Sequence, residues 1–262
     1  MKTYMYPYTV PMLNPSRKPR SRLELARKLW RLTRPASGFL FEDAEFLSAE
    51  LEVDPRRARA VLPLALWPLA TARATLFVAH FPKTSFGSVY NECGLFLHLR
   101  GDALHCPWIL VDDDVALITG RELLGYPKKL GTIDLSFGPE RVKGSVSRRG
   151  ARIVEIQGEL GAAVHPPPPV EGRPTFNVKG GVGLLPQTLV AFRPKEEIVL
   201  ARRASIELRV SPAEHDPIHE LGFGRVLEGW YHRLHLGGRS LPLPLMPLSP
   251  AYWLQNWMLR TY

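Results

Sequence analysis

From residue 44 onwards the chain is written as short apolar runs, each ended by Gly, Pro or Asp. Residues 45–51, 73–80, 94–99, 114–119, 131–137, 142–147, 152–157, 184–192 and 204–210 read as strands by their alternation and β-branched content. Helical signals are fewer. One helix is expected over 55–62, where Asp54 precedes a proline at the first helical position. A short one is expected over 224–229, and an aromatic-rich one over 249–260, SPAYWLQNWMLR. Many short strands and few helices predict a β-rich α+β fold: a barrel-like antiparallel or mixed sheet with peripheral helices, not a doubly wound sheet. No run reaches the roughly 18 apolar residues a membrane-spanning helix needs, and no internal repeat is visible.

The two ends differ from this body. Residues 1–40 hold nine Lys or Arg and one acid, Glu24, whereas the other 222 residues hold 25 basic and 24 acidic groups. The pI of about 9.8 therefore reports a basic N-terminal arm, and nucleic acid is not expected as a partner. Within the arm, Ser21 can cap an amphipathic helix over 22–33, RLELARKLWRLT. That helix reads as a surface helix packed on the domain or a neighbour, with weak contact to an anionic membrane as the alternative. The segment lacks the apolar core of a signal peptide. Three parts follow: an arm over 1–43, a main domain over 44–240, and a Pro-rich connector with a terminal helix over 241–262. Pro166 to Pro169 read as an extended connector.

Familiar site patterns are missing. The two cysteines, Cys93 and Cys106, have no CxxC spacing, which argues against a disulfide scaffold and fits a reducing, cytoplasmic setting. GGVG at 180–183 lacks the Lys-Ser/Thr of a phosphate loop, and no GxSxG is present. His215 and His219 are separated by Pro217, and His232 and His235 lie three apart in a strand-like stretch, so no metal is expected. Asp112, Asp113 and Asp114 read as a solvated turn.

The informative stretch is 114–131, DVALITGRELLGYPKKLG. A strand is expected to end at Thr119, Gly120 to break it, and Tyr126-Pro127 to lead into Lys128 and Lys129. On spacing alone such a pair is a solvated turn. Among these neighbours a lysine can be desolvated, and that matters because an amine attacks carbonyls only when neutral. A free lysine, with a pKa of about 10.4, is neutral roughly once in 10³ at pH 7. Burial or a second ammonium disfavours the charged form.

GRELLGYPKKLG resembles the active-site signature of the acetoacetate decarboxylase family. VYNECG at 89–94, RPTFNVK at 173–179 and SPAEHDPIHELGFGRVLEGWY at 211–231 resemble further segments of it, so the similarity spans roughly 44–235. Acetoacetate decarboxylase is itself the standard illustration of a lysine activated in this way. The resemblance implies a β-rich, oligomeric enzyme without a cofactor that acts on a small keto acid. Lys128 would form a Schiff base, and Lys129 would be the neighbour invoked to depress its pKa. Glu92 would relay protons, and Phe77, Tyr126, Arg121, Glu122 and Arg173 are candidates around the substrate. An extended 127–131 would instead turn Lys129 to the opposite face, making it a structural lysine. Glu122 and Glu92 have structural alternatives too, in tying down or capping turns.

Where the family carries an arginine and a further glutamate, ungapped alignment gives Ala44 and Phe77. Their loss makes the pocket more apolar and predicts weak activity on acetoacetate and a preference for a longer or aromatic keto acid. The leading expectation is a Schiff-base lyase that decarboxylates a β-keto acid. An aldolase or dehydratase using the same lysine on a larger keto acid is the alternative, and a non-catalytic carbonyl-binding protein is a third.

Overall fold

The computed structural model describes residues 21–24, 39–165, 168, 170, 172–180, 187–238, 242–256 and 259. In chain order these carry β1 (Phe39–Glu52), α1 (Pro55–Ala60), a 3-10 turn (Leu64–Leu69), β2 (Ala70–Phe81), β3 (Lys83–Thr84), β4 (Tyr90–Leu99), β5 (Ala103–Val111) and α2 (Asp114–Leu124). Then come β6 (Lys128–Leu130), β7 (Thr132–Phe137), β8 (Arg141–Arg148), β9 (Ala151–Ala163), β10 (Thr175–Lys179), β11 (Thr188–Phe192) and β12 (Lys195–Val210). A second 3-10 turn (Ile218–Leu221), β13 (Val226–Gly238), β14 (Leu243–Pro247) and α3 (Ala251–Gln255) complete the order.

The β-rich α+β expectation holds, as one large mixed sheet. Its main path runs β14-β11-β10-β5-β4-β2-β1-β13-β12-β9-β8-β7, with β3 on β1 and β6 on β5. The sheet is not closed: among the described residues no pairing joins β14 to β7. Most pairs are antiparallel, while β10 and β6 run parallel to β5. Both faces of the central strands are apolar. Leu47, Ala49, Leu51, Leu76, Val78, Leu95 and Trp108 belong to one core. Ala44, Phe46, Phe77, Ala79, Phe96 and Ile109 belong to the other. Strands buried on both sides read as nearly continuous apolar runs, which is why β5, all nine residues buried, escaped an alternation-based reading.

Two sequence assignments are overturned. Residues 114–119 are not a strand but the first half of α2. The Asp113 carboxylate accepts the Ala116 N–H at 2.7 Å, Asp114 lies in the first turn, and Gly125 closes the helix at φ 74°. The acidic run is thus a helix start. Residues 224–229 are not a helix: β13 begins at Val226 and pairs with both β1 and β12. Such long-range pairing overrides a weak local helical preference. In the N-terminal arm, the Glu24 N–H donates to Ser21 Oγ at 3.1 Å, as a cap should. The rest of the 22–33 helix, most of the 166–169 connector and 181–183 of GGVG lie outside the described residues.

Candidate active site

The site grows from β6. This three-residue strand lies parallel to β5, Ile109 opposite Lys128 and Leu110 opposite Lys129. Ile109 faces one core and Leu110 the other. The alternation therefore splits the two lysines between the faces of the sheet.

Lys128 is 6 % exposed, and its ammonium pairs with the Glu92 carboxylate, itself 5 % exposed. Glu92 comes from β4, with Ala79 and Val111 beside it on the flanking strands. Lys128 Nζ stands 5.3 Å from the Tyr90 ring centroid, a favourable place for a cation. Tyr90 in turn stacks on Phe81 at 4.6 Å. A cavity of about 50 Å³ lies here, lined by Lys128, Glu92, Tyr126, Phe41, Phe81 and Phe192 among others. Among the described residues, Lys128 and Glu92 are its only ionisable lining groups apart from tyrosine.

Helix α2 aims the lysine. A Cβ on Gly120 would lie 2.5 Å from Lys128 Cδ and 2.6 Å from Cε. The lysine stem therefore lies on a bare patch of helix that only glycine leaves. Arg121 Nη1 donates to the Lys128 carbonyl at 3.2 Å, fixing the backbone. Gly120 and Arg121 of the signature thus serve the lysine from behind, through packing and a main-chain bond.

Lys129 lies on the opposite face of β6 from Lys128. It is 3 % exposed and pairs with Asp216, which also accepts Trp108 Nε1 at 2.9 Å and Arg148 Nη1 at 3.0 Å. Burial pushes Lys129 down to about 8, against the pull of Asp216. The expectation that Lys129 acts on Lys128 as an adjacent cation is thereby corrected, because strand alternation puts it in the opposite core. Asp216 is the residue that sequence reasoning missed; a buried acid between His215 and Pro217 carries no local signal of its distant partners.

The other candidates divide. Tyr126 lines the cavity and meets Phe96 edge-on at 6.4 Å. Phe77 is not among the lining residues: it stacks on Phe96 at 5.3 Å in the core, over Gly94. Ala44 is likewise buried in that core. Glu122 is exposed on α2. Arg173 sits by Asp102, 3.7 Å away, and is not a lining residue. Cys93 follows Glu92, but burial, then the neighbouring carboxylate, hold its thiol far above the ordinary range.

The model of the family described as acetoacetate decarboxylase (ADC) matches residues 27–240. Acetoacetate decarboxylase 1 of Mesorhizobium japonicum is 32 % identical over 41 % of this chain and 49 % of that protein. The chain spans about half the length of the curated relatives it matches. The crystal structure of acetoacetate decarboxylase from Legionella pneumophila superposes with a TM-score of 0.71 at 19 % identity, covering 82 % of this chain and 90 % of that one. The enduracididine biosynthesis enzyme MppR, complexed with pyruvate, superposes at 0.66 with 23 % identity, over 80 % and 91 % of the two chains. With a family model matched across four-fifths of its length and the signature lysine buried against a carboxylate, the chain belongs to the acetoacetate decarboxylase family.

Proposed function

We propose that the chain is a Schiff-base lyase that decarboxylates a small β-keto acid through Lys128. The observation that carries this reading is the buried Lys128–Glu92 pair at an otherwise apolar cavity. Proton transfer from Nζ to the carboxylate gives a neutral amine without moving charge to solvent. The amine adds to the keto carbon, and loss of water leaves an iminium paired with Glu92. The bond to the carboxylate carbon then breaks, carbon dioxide departs, and its electron pair moves through the enamine to nitrogen. The Glu92 carboxylate, its proton spent on the departing water, takes up a proton from solvent water and passes it to the enamine carbon. Hydrolysis of the resulting iminium releases the ketone and returns the amine. Apolar walls favour this step, since the substrate carboxylate is charged in the ground state and neutral in the product.

The cavity bears on substrate size. At about 50 Å³ it is a third of the roughly 150 Å³ in which an engineered apolar cavity holds benzene. That favours a short acyl chain over the long or aromatic one expected from sequence. Ala44 and Phe77, where an arginine and a glutamate were expected, pack in the core and do not line this cavity.

Borohydride added with acetoacetate should fix a mass adduct on the peptide containing Lys128, and carbon dioxide should be released in its absence. Labelling confined to Lys129, or no labelling with any short keto acid, would refute the assignment. An aldol-type reaction is the second reading, motivated by the pyruvate-bound relative. Adduct formation with pyruvate and an aldehyde, without carbon dioxide release, would select it.

A further inference from the structure

We propose that a bulge at Asp43 in β1, braced by His235, sets the size limit of the substrate by turning Phe41 into the cavity. This rests on the reading of that cavity as the substrate site.

Within β1 the residues that share the cavity-side core are Ala44 and Phe46, while Leu47, Ala49 and Leu51 face the other core. Strict alternation continued back from Ala44 would send Phe41 to the side of Leu47. It does not go there, because the register against β13 slips by one residue. Phe41 lies opposite Leu236 and Ala44 opposite Leu234, so Glu42 and Asp43 together face the single residue His235. One extra residue reverses the parity of the strand, and bulges of this kind re-aim side chains beside active sites. Phe41 accordingly joins the cavity-side cluster and lines the cavity.

The bulge is held by a specific bond. Asp43 takes φ 54°, a left-handed conformation that Asp tolerates better than most residues. Its N–H has no ladder partner across the slip and donates to His235 Nδ1 at 3.0 Å. Beyond the bulge β1 leaves β2, pairing Phe41 and Glu42 with Thr84 and Lys83 of β3. Phe41 then lies 5.2 Å from Phe81 and 5.8 Å edge-on to Phe86. Through Phe81 and Tyr90 this row of rings reaches Lys128. Phe41 is thus a wall whose side is chosen by backbone register, and His235, on the far face, is a positioning residue that acts through it.

The test uses the full chain with two probes. Benzene, followed by thermal shift, reports cavity size without chemistry. The ratio of kcat/KM for 3-oxo-3-phenylpropanoate over acetoacetate reports substrate size. Wild type should give no shift with benzene and favour acetoacetate. Phe41→Ala should gain a benzene shift and raise the ratio at least about tenfold, the scale of discrimination a pocket wall provides. Deletion of Asp43 removes the extra residue, keeps Phe41 opposite Leu236 on the face of Ala44, and should leave both readouts unchanged. His235→Ala should raise the ratio in the same direction, His235→Asn should restore it by supplying another acceptor, and His235→Ala should add nothing in a Phe41→Ala background. If the deletion fails to fold, the point variants decide. Benzene binding to wild type, no benzene binding to Phe41→Ala, or additive effects of His235→Ala and Phe41→Ala would overturn the proposal. A benzene shift without any borohydride adduct at Lys128 would keep the size device and reject the Schiff-base reading; an adduct with no size effect would do the reverse.

Discussion

A Cβ separates Gly120 from every other residue, and the Lys128 stem occupies its place. Gly120→Ala should push the lysine off α2 and lower the rate of borohydride trapping by about 10²-fold, the effect of a misplacement near 1 Å. Unchanged trapping in a folded variant would show that the stem relocates freely. The opposite core makes a different demand. Asp216 is the common partner of Lys129, Arg148 and the Trp108 indole. Asp216→Asn strands two buried or half-buried cations and should cost about 3–5 kcal/mol in urea unfolding. Lys129→Met leaves Asp216 its arginine and should cost much less. Equal losses for the two variants would contradict this ordering, which follows from the number of charges left unpaired.

The strand β6 is too short to hold its register alone, and α2 supplies the anchor. Helix and strand are joined through Gly125, whose N–H donates to the Gly120 and Arg121 carbonyls, and through Tyr126, whose N–H donates to Gly120. Asp113→Ala removes the cap on Ala116 and should destabilise the protein by about 1 kcal/mol. Gly125→Ala faces both a left-handed φ and contacts of 3.2–3.3 Å with Val190 and Asn177. It should cost more than the cap and reduce adduct yield at Lys128, because the turn that delivers the lysine must shift. Comparing denaturation midpoints with adduct yields separates the two effects: the cap variant should lose stability while keeping its trapping rate.

Across the molecule, buried neutral imidazoles set an acid limit. Burial, with Arg173 and Arg73 adding repulsion, holds His98 down to about 3, and burial holds His232 down to about 4. An unfolded histidine titrates near 6.5. As pH falls from 6.5 towards 4, the unfolded chain gains protons that the native one does not, so the stability present above 6.5 is progressively lost. The urea midpoint should therefore fall between pH 7.5 and pH 5, and His98→Gln, which keeps a polar partner for Thr75, should flatten that fall. A midpoint constant over this range would mean both imidazoles are protonated within the fold.

Much of the site could be read before any coordinates. The GRELLGYPKKLG stretch marked Lys128, the VYNECG stretch marked Glu92, and the two meet at the cavity with Tyr126. Each of these readings depends on a residue type within a short segment, which is why the sequence alone could offer it. The β-rich composition of the main domain was equally legible, since strand periodicity is a local property. Strand partners were not local. Whether DVALIT became strand or helix turned on the Asp113 cap, and the fate of VLEGWY turned on β1 and β12, more than twenty residues away in each case for the latter. Sidedness was decided later still. That Lys128 and Lys129 part was already implied by alternation; which core each enters follows from β6 lying beside Ile109 and Leu110. The entry of Phe41 into the cavity follows from one extra residue opposite His235. A period-two pattern specifies which residues share a face, but only pairing with a neighbour fixes which face it is.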